Sequence, residues 1–331
     1  MTRSLPSVRP ALLAVLAALC LAAPAVAPGR PPTPARAEPD PLAPADSGLL
    51  VTVNVRQLAA APLVQKYARA ELARALARTE RVGKALQAAG LDPLRDVDTV
   101  ALAVSGDLLH PHVLAVVRGR FDPEKAQAAA AGYARSNPAE LQIEGTGGGA
   151  VYRFRAEHHE VFAAFDGGAV VMATTREHLA AALRSATGRP APVAAPMQAA
   201  LGKLTGKECA WLALVIAEPM KEALKRKDPQ SAGLIASLES VTGGIEVTDA
   251  FRLELTAHTV TPEAAAQLRK KMDDVLPLLQ FFAAADDAGA RLLRDAVAGI
   301  KVDNQRGAVR VALQVSEEMI QKAMRPPSPS R

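Results

Sequence analysis

Phe251, Leu253 and Leu255 alternate with Arg252, Glu254 and Thr256, and Val309, Val311, Leu313 and Val315 alternate with Arg310, Ala312 and Gln314. A period of two, with one dry face and one wet, belongs to antiparallel strands that carry helices on a single side; strands of doubly wound parallel sheets are apolar throughout. Further strand runs are expected at Leu49 to Val55, Thr99 to Ser105, His112 to Gly119, Leu141 to Glu144, Val151 to Arg155, Val161 to Phe165, Ala169 to Ala173 and Cys209 to Ala217. Between them, Pro62 to Ala89 has a helical period, with Leu72, Leu76 and Leu86 on a stripe opposite Arg74, Arg78 and Arg81. This is a solvated face over a core stripe, the pattern of a helix lying on a sheet. The expected fold class is α+β.

Two stretches of the chain repeat the same order of elements. Each opens with an apolar run and a helical pattern, continues with paired strands, and starts a helix with an acceptor, Pro and an acid: Asp122-Pro123-Glu124 and Thr261-Pro262-Glu263. Each then ends in a hairpin, Leu141 to Glu144 with Val151 to Arg155, and Ile300 to Asp303 with Val309 to Val315. Thr175 and Ser316 are expected to cap the closing helices. The first stretch inserts an extra hairpin around Asp166-Gly167-Gly168. We therefore expect two pseudo-repeated units, each a mainly antiparallel sheet covered on one face by helices. The expected boundaries are a signal peptide over 1–37, a Pro-rich linker over 38–46, units over 47–188 and 199–324 joined by a Pro-rich stretch over 189–198, and a Pro/Ser tail over 325–331.

The stretch from Gly90 to Val100 (GLDPLRDVDTV), with Val117 to Lys125 (VRGRFDPEK) and Val241 to Asp249 (VTGGIEVTD), resembles an uncharacterised family of exported proteins of planctomycete-type bacteria. The likeness covers roughly residues 46 to 325. It implies fold and export, and no activity comes with it.

The address is legible at the start of the chain. Arg3 and Arg9 precede an uncharged apolar run from Ala11 to Ala23, and small-x-small sites end at Ala27 and Ala37. Pro28 spoils the first site, so cleavage is expected after Ala37, with a periplasmic or extracellular destination. Leu19 before Cys20 disfavours lipid attachment, and no later segment is apolar enough to span a bilayer. Cleavage removes Arg3, Arg9, Arg30 and Arg36 and no acid, which lowers the formal charge of +5 to +1. A nearly neutral chain with 3% aromatic residues lacks the basic stripe and the stacking surface that nucleic acid requires. Cleavage leaves Cys209 as the sole cysteine, so no internal disulfide can form.

Site chemistry is sparse. The loop Gly145-Thr-Gly-Gly-Gly149 leads into the alternating run Val151 to Arg155 rather than into a helix, and reads as a hairpin turn, not a phosphate cradle. Hydrolase elbows and paired metal-site cysteines do not occur, Ser105 has no locatable base, and Cys209 reads as a buried small hydrophobe. The candidate ligands are His110, His112, His158 and His159, in two tight clusters that topology would bring to one end of the sheet; with a carboxylate nearby they would suit zinc or copper. No cofactor is expected. The resulting reading is an exported, non-enzymatic binding or scaffold protein of the cell envelope or periplasm, whose partner is an envelope protein or an apolar ligand. The alternatives are a carrier of an apolar or lipid-like ligand and a His-dependent metal-binding protein.

Overall fold

The computed structural model describes residues 37–68, 93–106, 111–120, 122–146, 149–156, 159–186, 192–282 and 294–324. The leader, the Pro62 to Ala89 pattern beyond Ala68, His110, His158 and the 325–331 tail lie outside them.

The chain begins with β1 (Leu49–Asn54), α1 (Val55–Ala60), a π-helical turn (Val64–Ala68) and α2 (Pro93–Asp96). There follow β2 (Val97–Gly106), β3 (Pro111–Gly119), α3 (Pro123–Ser136), β4 (Leu141–Thr146), β5 (Gly149–Ala156), β6 (His159–Asp166), β7 (Ala169–Ala173) and α4 (Arg176–Ala186). Next come α5 (Ala195–Leu201), β8 (Ala210–Val215), α6 (Glu218–Lys227), a 3-10 turn (Pro229–Ser231), α7 (Ala232–Ser237), β9 (Leu238–Val247) and β10 (Ala250–Thr259). The chain closes with α8 (Pro262–Phe282), β11 (Lys301–Gln305), β12 (Ala308–Ser316) and α9 (Glu317–Met324).

The fold is α+β, built on one continuous twelve-stranded sheet in the order β11-β12-β10-β9-β8-β1-β2-β3-β7-β6-β5-β4. Every ladder is antiparallel. The central pair is β1 with β8, from Leu49 opposite Leu214 to Val53 opposite Ala210. Outward from it the order is β1-β2-β3-β7-β6-β5-β4 on one side and β8-β9-β10-β12-β11 on the other.

Helix starts follow the capping pattern. The Asp122 carboxylate accepts from Lys125 N at 3.2 Å, and the hydroxyls of Thr175, Thr261 and Ser316 accept from His178, Ala264 and Met319 N at 3.2, 3.2 and 3.3 Å. Each satisfies one of the amides that a helix start leaves free.

Trp211 and Leu212 mark the two faces of the sheet. On the Trp211 face, Leu50, Ala103, Leu114, Val116, Val171 and Ala213 pack under Leu179 of α4, Met197 and Leu201 of α5, and Leu42 and Ala43. Leu42 and Ala43, within the stretch expected as a linker, pack on the sheet, and Arg118 donates to both Asp40 oxygens at 2.7 and 3.0 Å. On the Leu212 face, Val53, Val100 and Val117 pack with Val55 of α1, and Leu141, Tyr152 and Ala163 pack with Ala130 and Tyr133 of α3. A third cluster joins Ala59, Leu63, Val64 and Val247 to Ile320 of α9.

Helices covering one face only is therefore incorrect for the first half, where α4 packs on the Trp211 face and α1 and α3 pack on parts of the Leu212 face. The physical reason stands in β2 and β3: Thr99 to Ser105 and Val113 to Val117 are apolar at nearly every position, so they present aliphatic side chains to both faces and helices settle on each. β10 and β12 alternate cleanly, whereas β2 and β3 do not. In the outer second half the Trp211 face is polar, with Arg310 on Glu254 at 2.5 Å and Arg252 near Glu246 at 3.8 Å.

Candidate functional site

His112 begins β3 and His159 begins β6. In the ladders Leu114 is level with Ala173, and Ala173 with Phe162, so both histidines stand at the same end of the sheet with β7 between their strands. The ring of His112 stacks on that of His178 in α4, with centroids 4.0 Å apart and planes at 24°. His178 Nδ1 lies 2.6 Å from the Thr175 hydroxyl, so His178 is held at the start of its helix. The carboxylate of this region is already engaged: Glu160 Oε1 accepts from Arg153 at 2.6 Å and Arg155 at 3.2 Å, and these bonds hold its pKa below the usual range. Among the described residues no group of three or more His, Cys, Asp or Glu is placed to hold a metal. His110 and His158 lie outside that statement. The partner of His112 that the sequence reading missed is His178, 66 positions away, for which no local spacing could have served as a signal.

Ser105 stands opposite His112 in the β2–β3 ladder and is 4% exposed. The ring of His112 is stacked on His178, an arrangement of two imidazoles and not of a nucleophile with its base. Cys209 is 1% exposed, its thiol donates to the Ile245 carbonyl at 3.2 Å, and burial pushes its pKa up to about 11. It packs with Ala59 and Val247, while Trp211, two residues on, belongs to the core on the other face. The glycine-rich loop joins β4 to β5 as a hairpin, with Thr146 opposite Gly149.

Two apolar features among the described residues bear on ligand binding. One is a small cleft, with about 10 Å³ of space for a water-sized molecule, between Pro39, Asp40 and Ala43 and the strand residues Leu50, Leu114 and Trp211. That is below the size of pockets that enclose a drug-sized ligand, roughly 300 Å³ and upward. The other is the Leu212 face of the central strands. Val104, Leu49, Leu214 and Val241 form one cross-strand row, and Leu102, Val51, Leu212, Leu255 and Val311 form the next. Gly243 occupies the remaining place in the second row, and a Cβ there would collide with Leu255, whose side chain leans across it. All nine aliphatic side chains are only partly buried, and none belongs to the core clusters described above.

No protein-family model matches the chain, and no curated protein does. Solved structures similar to it include crystal forms I and IV of TP0453, at 9% and 11% identity and TM-scores of 0.46 and 0.45. Each match covers 87% of this chain, with 96% and 95% of the other. A likeness of that size carries no inference about the site. No helix among the described residues is long and apolar enough to cross a membrane.

Proposed function

We propose that the protein is an exported, non-enzymatic binding protein of the cell envelope or periplasm, and that its ligand is apolar or lipid-like. One observation carries the reading: two adjoining aliphatic rows run across β2, β1, β8, β9, β10 and β12 and stay partly exposed. Contiguous aliphatic side chains that each keep part of their surface accessible are the kind of surface at which apolar partners bind. The rows are side by side and lack hydrogen-bonding side chains, which suits a hydrocarbon chain better than a polar metabolite. The leader pattern of Arg3, Arg9 and the apolar run supports export, and the family likeness points the same way. A duplicated unit is supported by the two helix starts, Asp122-Pro123 and Thr261-Pro262, and by a strand order that matches outward from β1 and β8 once the β6–β7 hairpin is set aside.

The test is a titration of the secreted protein with N-phenylnaphthylamine. The expected result is a saturable rise in fluorescence, weakened severalfold by Leu255→Asn in a protein whose circular dichroism is unchanged. A flat titration of natively folded protein overturns the reading. Native mass spectrometry of the same sample is expected to show a lipid-sized adduct. Elemental analysis decides the secondary metal reading of His110, His112, His158 and His159.

A further inference from the structure

The two edges of the sheet are built differently. At one edge, Lys301, Asp303, Asn304 and Gln305 of β11 are all exposed and all polar, a common guard against edge-to-edge pairing. At the other edge β4 carries Ile143, 40% exposed, beside Phe154 of β5, 41% exposed. The parity of the β4–β5 ladder is set by Arg155 N, which donates to the Glu140 carbonyl at 2.8 Å. Residues 140, 142 and 144 therefore bond towards β5, and the N–H and C=O of Ile143 and Gly145 and the C=O of Leu141 point away from the sheet. The Leu141 N–H is used locally, on the Asn137 carbonyl at 3.1 Å.

We propose that β4 is a self-pairing edge, and that its partner is β4 of a second copy in an antiparallel arrangement with its two-fold axis at Ile143. In that register the two Ile143 residues exchange both backbone bonds, and on either side a Gly145 N–H meets the Leu141 carbonyl of the other chain. The donor missing from the next position is the Leu141 N–H, which Asn137 already occupies. Ile143 meets its own copy on the face that carries Phe154, turning an exposed apolar pair into a buried cluster. On the opposite face Gln142 stands across from Glu144, a donor against an acceptor rather than like charges. Gly145, with open space where a Cβ would sit, leaves room for the facing chain. The contact is isologous, so it closes as a dimer and does not propagate.

Light scattering after gel filtration, on the protein as the cell secretes it, tests this over a wide concentration range. The mass is expected to move from one chain to two. Ile143→Pro deletes an N–H that faces solvent in the lone chain, so the monomer loses no ladder bond. Ile143→Lys puts like charges on the axis. Each is expected to weaken the dimer about tenfold or more, with circular dichroism and thermal midpoint of the single chain unchanged. In the unaltered protein, hydrogen exchange at the Ile143 and Gly145 amides is expected to be slow when dimeric and fast on dilution. A chain that stays single at every concentration overturns the proposal. So does a dimer indifferent to both substitutions, a dimer whose Ile143 and Gly145 amides exchange freely, or a single chain carrying another protein's strand on this edge.

Discussion

The imidazole of His258 lies in the β9–β10 ladder with Nε2 3.1 Å from the Thr242 hydroxyl. Burial, and secondarily the ammonium of Lys203, push its pKa down to about 4. The folded chain thus resists a proton that the unfolded chain accepts at an ordinary histidine pKa near 6.5. Between about pH 6.5 and 4 the unfolded state binds more protons, so stability falls as pH falls through that window and is unaffected by this group above it. Urea unfolding at pH 7 and pH 4.5 is expected to show a lower midpoint at the acid pH, and His258→Gln to remove part of that drop. An equal drop in the variant would place the effect elsewhere. Glu317 acts lower on the scale. Hydrogen bonds from Lys66, Tyr67 and Gln321 hold its pKa down to about 2, so their support fades as pH falls from the ordinary carboxylate range towards that value. That contact ties the π-helical turn to α9, and being exposed it is screened by solvent and salt.

At the scale of the element, helix starts were the most readable part of the chain. An acceptor followed by Pro and an acid works through bonds spanning three residues, so local sequence determines it, and Asp122, Thr175, Thr261 and Ser316 all accept the expected amides. Asp122→Ala is expected to lower the midpoint of denaturant unfolding, with Asp122→Asn nearly neutral. Equal losses in the two variants would mean that charge at the helix end matters and the cap does not. Strands were less readable in one respect. Alternation in β10 and β12 showed antiparallel pairing, whereas the near-continuous apolar runs of β2 and β3 carry no period, and only their packing against α1 on one side and α4 and Met197 of α5 on the other explains them.

At the scale of the whole molecule the β1–β8 ladder makes one object of the two halves. Leu50 of β1 packs in the same core as Trp211 and Ala213 of β8, and Ala194 N donates to the Ala45 carbonyl at 2.9 Å, so the Pro-rich joint is itself held against the first half. A protease site placed at 187–191 and cut is expected to leave two fragments that elute together under native conditions and part in denaturant. Separate elution without denaturant would show that the ladder does not hold the halves. The sequence by itself determined what depends on neighbours a few residues apart: the helix caps, the antiparallel character of the alternating strands, the β4–β5 hairpin in place of a phosphate loop, and the α+β class. Tertiary structure alone decided what depends on residues far apart in the chain. It joined the strands into one sheet, paired His112 with His178, buried Cys209 away from Trp211, and aligned aliphatic side chains from six strands into adjoining rows. Register between distant strands is set by the sum of many weak contacts and has no local signature, so no single stretch of sequence announces the surface it helps to build.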